Sequence, residues 1–223
     1  MPVAGVPYII DSGAYTEIRD HGTWRWDEDQ YGGMVYRLMD EIGIPDFVAP
    51  LDRPAEPEVL DRAGATTLDH QECTLESYLY LAREFPAVPW LPVLQGWTLE
   101  EYEQHDAMYR KAGINLAVQR RVGLGSICRR GSVQPIGVIA ERFARRGYRM
   151  HGFGLKTTAL RANAHHFASA DSMAWSDQAR RTRLRLPGCQ HAGICNNCPR
   201  WALTWRETVI TAIRDSERRI FSH

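Results

Sequence analysis

Six short apolar, β-prone runs recur along the chain, each separated from the next by a stretch long enough to hold a helix, and this alternation limits the fold most. The runs are Pro7–Ile10, Asp46–Asp52 (DFVAPLD), Trp90–Trp97 (WLPVLQGW), Val118–Ser126 (VQRRVGLGS), Tyr148–Lys156 (YRMHGFGLK) and His166–Ser176 (HFASADSMAWS). Between them, amphipathic patterning predicts helices over Met34–Ile42, closed by Gly43 and Pro45, over Thr74–Phe85, and from Thr98 to Gly113, where Thr98 and Glu101 have capping-box spacing. A further helix is expected over Pro135–Arg146, with proline in its first turn, and a last one over Pro199–Arg219. The segments HGTWRWDEDQYGG and RPAEPEVL read as loops. Short strands alternating with helices point to parallel βαβ construction.

The residues at the ends of these runs are unusual for simple turns. Asp11, Asp52, Gln95, Gly123 with Gly125, Gly154 and Asp171 all fall at or just past the C-terminal end of a strand. In a TIM-type (β/α)8 barrel those ends share the face that carries the active site. An isolated Asp at a strand end is commonly a turn former or an N-cap. The repetition over six strands favours a functional face, with Asp171, in the stretch His151–Asp177, as nucleophile. A full barrel has eight strands, and six are placed here. Met1 stands ten residues before Asp11, so the expectation is a barrel lacking N-terminal strands, or one with two unrecognised. Residues 1–178 are assigned to the barrel and 179–223 to a C-terminal segment packed on it.

At 223 residues, 44% hydrophobic and 24% charged, the chain suits one main domain. No apolar run approaches the roughly 20 residues that cross a bilayer, and no signal pattern opens the chain; a cytoplasmic protein without membrane contact is expected. Net charge is zero. Lys111 and Lys156 are the only lysines, so anion contacts rest on arginine. Arg129, Arg130 and Lys156 are the candidate phosphate contacts. Arg180, Arg181, Arg183 and Arg185 suit phosphate binding and a solvated face equally.

Three of the five cysteines crowd into GCQHAGICNNCPRW. Cys189, His191, Cys195 and Cys198 form C-x-H-x3-C-x2-C, a closed Cys3His set suited to structural zinc. His223 is an alternative to His191, and buried free cysteines are the bland alternative to a metal. Cys73 and Cys128 read as ordinary thiols.

The ordered set DSGAY, VLQGW, VGLGS with SICRR, HGFG and ADSMAWS, over Asp11 to about Arg206, resembles the tRNA-guanine transglycosylase superfamily, and more closely its DNA-acting deazapurine (DpdA) branch. The resemblance implies a (β/α)8 barrel with a zinc-binding C-terminal segment and exchange of guanine in DNA for a 7-deazaguanine such as 7-cyano-7-deazaguanine, in a bacterial cell. It implies Asp171 as the nucleophile on the anomeric carbon, Asp11 as the group that moves protons or positions the base, and Tyr15 as the stacking residue. It also implies Asp52 and Gln95 at the purine edge, with Gly123, Gly125, Ser126 and Gly154 offering groups to it. DSGAY departs from the family's DSGGF but keeps the aromatic residue. A tRNA-acting transglycosylase and a non-catalytic nucleic-acid-binding barrel are the other readings.

The chemistry explains the pairing of carboxylates. A carboxylate nucleophile splits base exchange into two displacements through a covalent sugar intermediate, and a second carboxyl serves as acid, then base. The target nucleotide must be flipped or single-stranded to reach such a pocket, where Tyr15 or Trp97 can stack on it.

Overall fold

The computed structural model describes residues 5–128 and 133–220, and, of the last helix, side chains as far as Arg214. The six runs condense into six very short parallel strands: β1 (Ile9–Ile10), β2 (Phe47–Val48), β3 (Val93–Leu94), β4 (Val122–Leu124), β5 (Met150–Gly152) and β6 (Ser169–Ala170). They lie side by side in chain order. Ile9 pairs with Phe47, Val93 with Gly123, Gly123 with His151, and His151 with Ser169. A single parallel bridge between Val48 and Trp90 carries the pairing from β2 to β3.

Side chains alternate across this sheet as strand geometry requires. Val48, Leu94, Val122, Leu124 and Met150 point outward into the main core, where they meet Tyr31, Tyr78, Leu81, Tyr102, Tyr109 and Phe143 from the helices. Phe47 and Val93 point the other way, into a smaller inner cluster with Leu91, Ile9 and Phe153. The His151 ring on β5 lies 4.8 Å from that of Phe47 on β2. Strands three places apart touch only when the sheet curls, so the strands wrap around the inner cluster and their C-terminal ends converge. Among the described residues β6 and β1 are not paired with each other, and there are six strands rather than eight, a pair (β1, β2) and a run of four (β3 to β6) joined by the Val48–Trp90 bridge.

Helices follow the strands as α1 (Ala14–His21), α2 (Glu28–Ile42), α3 (Pro57–Ala63), α4 (Thr67–Glu84), α5 (Leu99–Lys111), α6 (Gln134–Arg145), α7 (Thr157–Asn163), α8 (Ala174–Thr182) and α9 (Pro199–Ile220). The Thr98–Glu101 capping box is present, as are two more at Asp27–Gln30 and Thr66–Asp69. Those two extend α2 and α4 several residues N-terminal to the expected Met34 and Thr74. α1 falls where no helix was expected, and α3 and the start of α2 occupy segments read as loops: Gly13 in the left-handed region (φ 78°) turns the chain from β1 into α1, and Pro57 fills the first turn of α3. The broad runs shorten for a related reason. Val118 belongs to a 3-10 turn (Leu116–Val118), and beyond Ala170 the chain turns into α8.

Aromatic hydroxyls tie helices to the strand ends. Tyr31 donates to the Ala49 carbonyl (2.9 Å), and Tyr102 to that of Gly125 (2.6 Å). On the inner face Gly123 leaves room for Phe153. A Cβ there meets the Phe153 ring at 2.7 Å and Leu91 and Val93 at 3.1 Å. Gly123→Ala is therefore expected to lower stability by about 1–3 kcal/mol, measurable as a lower midpoint in urea with an unchanged slope.

Candidate functional site

The convergent strand ends enclose a cavity of about 180 Å³ lined by Asp11, Tyr15, Asp52, Gln95, Gly125, Ser126, Gly154 and Asp171, with Glu56, Phe153 and Met173 among its other walls. Every one of β1 to β6 contributes through the residues that follow it. Gly123 does not line the cavity; it sits one layer below, beneath Phe153. Lys156 is exposed at the start of α7, and Trp97 also stands outside the lining. Arg129, Arg130 and His223 lie outside the described residues.

A polar rail crosses the floor. Ser12 Oγ donates to Asp52 Oδ1 (2.6 Å), and Gln95 Nε2 donates to Asp52 Oδ2 (2.6 Å). Ser126 Oγ lies 2.7 Å from Gln95 Oε1 and 2.8 Å from Glu56 Oε2, and it accepts the Ala55 N–H at 2.7 Å. The Gln95 backbone is pinned as well: its N–H donates to His105 Nδ1 (2.9 Å), and its carbonyl accepts from Gln71 Nε2 (2.8 Å). Gly125 is required beside it, since a Cβ there falls 2.3–2.5 Å from the Gln95 amide.

The Ser126 hydroxyl has one proton for two acceptor contacts. If it donates to Glu56, the Gln95 amide is turned and a protonated Asp52 donates to it, which gives each of these contacts one donor and one acceptor. Burial agrees: it pushes Asp52 up to about 7, aided by the charge of Asp11 and opposed by the hydrogen bonds from Ser12 and Gln95.

Asp11 and Asp171 face each other across the mouth. Asp11 retains solvent contact, yet the surrounding protein desolvates its carboxyl and raises its pKa; the negative charge of Asp171 raises it further, while the Gly13 and Ser12 N–H groups oppose both. Asp171 is half-buried, and its Oδ1 accepts the Gly154 N–H at 2.5 Å. The same turn is closed by Leu155 N–H to the Asp171 carbonyl (3.0 Å) and Asp171 N–H to the Gly152 carbonyl (3.2 Å). Tyr15 is held at the rim by Glu58 (3.2 Å), with the Arg19 guanidinium 5.5 Å from its ring centroid.

Sequence reasoning missed Ser12, Glu56 and His151 as members of the site. The signal for Glu56 was slight, an acidic residue before the proline that starts α3. His151 and Ser12 sit inside motifs that were singled out for other residues.

Away from the cavity, Cys189, His191, Cys195 and Cys198 bring their ligand atoms within 4.8 Å of one another, so together they could hold a metal ion. Sγ of Cys195 lies 3.5 Å from His191 Nε2 and accepts the Leu186 N–H at 3.2 Å. The Cys198 thiol is lowered to about 7, first by the backbone N–H of Trp201 in the opening turn of α9. Burial and its neighbouring thiols raise Cys189 in turn, as expected when sulfurs share charge. Arg185 donates to the Gly193 (2.6 Å) and Cys189 (3.3 Å) carbonyls and so braces this loop. Arg181 pairs with Asp177.

Asp11 and Asp171 thus stand above a buried polar floor of Asp52, Gln95, Ser126 and Glu56, on the C-terminal edge of a curled parallel sheet. The DpdA family, DeoxyPurine in DNA protein A, matches residues 1–220, nearly the whole chain. The chain belongs to that family, and membership implies a DNA-guanine transglycosylase of deazapurine DNA modification with DNA as its substrate. No curated protein matches the chain. Among the described residues no helix is long and apolar enough to cross a membrane.

The raised Asp52 carboxyl sets a pH signature. Its folded pKa lies above the ordinary 3.8, so the folded state binds the proton more tightly and stability falls as pH rises from about 4 to about 7, then levels. An asparagine side chain in its place can donate to a turned Gln95 without any proton from solvent. Asp52→Asn is therefore expected to flatten this slope in urea melts taken across that window.

Proposed function

We propose that this protein exchanges guanine in DNA for a 7-deazaguanine, such as 7-cyano-7-deazaguanine, through a covalent intermediate between Asp171 and deoxyribose. The observation that carries the reading is that Asp171 and Asp11, from the two ends of the sheet, share one cavity with Asp52 and Gln95. An Asp171 oxygen attacks C1′ as the C1′–N9 bond breaks, and Asp11, raised by burial and by Asp171, supplies the proton that the departing base takes. The incoming base returns a proton to Asp11 as its nitrogen attacks C1′ and releases Asp171. Two displacements retain configuration.

Asp52, Gln95, Ser126 and the Gly125 and Gly154 backbone meet the purine edge, and Tyr15 stacks on the flipped base at the rim. Gly123 supports the reading indirectly, by giving Phe153 its place under the cavity. Arg129, Arg130 and Lys156 are the phosphate contacts in this reading. The curled sheet is taken as the greater part of a TIM-type barrel over residues 1–178, with 179–223 as its clip.

The metal is zinc, and its role is structural. Three thiolates and an imidazole suit a closed tetrahedral site, and the Leu186 N–H on Cys195 is the kind of contact that supports a metal-bound thiolate. Cys198 precedes α9 directly, and Trp201 Nε1 donates to the Trp175 carbonyl of α8 (2.8 Å), so the ion would fasten α9 to α8.

Wild-type protein incubated with labelled guanine is expected to load label into duplex DNA and not tRNA, while Asp171→Asn binds DNA with unchanged affinity and loads none. Label entering tRNA alone, or full activity in Asp171→Asn, would count against the reading. For the metal, elemental analysis is expected to find one zinc per chain, with Cys198→Ser losing it. Removal by a strong chelator should speed proteolysis within residues 183–200 before the barrel unfolds.

A further inference from the structure

His151 is a buried polar group, 1% exposed, that the reaction above leaves without a task. It lies on the inner face of β5, where its ring is wedged edge-on between Phe47 and Phe153, each 4.8 Å away at 65° and 79°. It can therefore neither rotate nor withdraw. Its Nδ1 is 2.9 Å from Ser169 Oγ, and its Nε2 is 3.4 Å from Asp171 Oδ2. Ser169 is its register partner on β6, two residues before Asp171.

The tautomer follows from the two groups that flank the ring. Arg121 Nε donates to Ser169 Oγ at 3.4 Å, and a guanidinium only donates. That contact leaves the Ser169 proton free to point at His151 Nδ1, and on the other side of the ring a carboxylate oxygen of Asp171, which only accepts, faces Nε2. Nδ1 is then the acceptor, and the ring proton sits on Nε2, facing the carboxylate.

We infer that His151, locked as the Nε2–H tautomer by Ser169, is a positioning residue that fixes the Asp171 carboxylate for attack. Gly154 N–H holds Oδ1 and His151 Nε2–H holds Oδ2, so two donors from one strand and its following turn set the rotation of the carboxylate plane. His151 transfers no proton in this role. When an Asp171 oxygen bonds to C1′, the carboxylate charge passes to the departing base and Asp11 supplies the proton; His151 keeps its own and meets the carboxylate again when the second base releases it.

The catalytic half of this inference rests on the base-exchange reading; the tautomer does not. Nitrogen-15 NMR of histidine-labelled protein tests the tautomer directly, with the His151 signal assigned by its loss in His151→Gln. A neutral Nε2–H ring is expected in wild type, and a mixture of tautomers in Ser169→Ala. A neutral Nδ1–H ring or an imidazolium in wild type would overturn the inference, whatever the activity. In base exchange, the amide introduced by His151→Gln can replace the Nε2–H donor, whereas a shorter Asn side chain mimics Nδ1. His151→Asn is expected to lower kcat on the order of 100-fold, with KM for DNA unchanged and His151→Gln recovering most of the loss. Equal losses in both variants, or a change in KM alone, would reject the positioning role. If wild type exchanges no base but shows the expected tautomer, the functional reading fails and the hydrogen-bond assignment stands.

Discussion

The site depends on how Gln95 is held. Its backbone is fixed from both sides by His105 and Gln71, and its amide spans Asp52 and Ser126. Through it the ends of β1, β2, β3 and β4 are stitched into one line from Ser12 to Glu56. Strands of two or three residues contribute few ladder hydrogen bonds, so side chains beyond the strand ends must define the register there. Buried polar groups are costly unless partnered, and a partnered chain of them is correspondingly specific.

That rail and the Asp11–Asp171 pair have opposite electrostatic needs, and the fold separates them. The floor suits a protonated Asp52, raised by burial, because the Gln95 amide can turn to accept from it. The mouth sets two carboxyls near one another with solvent access, where desolvation and the charge of Asp171 keep Asp11 raised. The Gly154 N–H on Asp171 comes from the turn after β5, which also lets the chain bend sharply over the cavity: Gly154 is in the left-handed region at φ 62°.

Much of this was legible in the residues themselves. An apolar run ending in Asp, Gln or Gly reports a buried strand meeting a polar edge, and Asp11, Asp52, Gln95 and Asp171 do meet there. Thr98 with Glu101 reports its cap because the signal is local. α1 and α3 were hidden because they are short and open on glycine and proline, whose ordinary meaning is a turn; tertiary packing of Ile18 and Val59 overrides it. Gly123 looked like a ligand contact because a glycine at a strand end reads alike whether it admits a substrate or a phenyl ring. His151 was hidden for a different reason: its partners are 18 and 20 residues away in sequence, and only strand pairing brings them beside it.

Ser126 is one of two non-glycine residues at positive φ among the described residues, at 52°. That conformation is strained for a residue with a side chain, by roughly 1–2 kcal/mol, and glycine would relax it. Glycine would also strand the Ala55 N–H and the Gln95 amide that the hydroxyl partners, so the backbone strain at this strand end is held in place by the polar rail that needs the side chain.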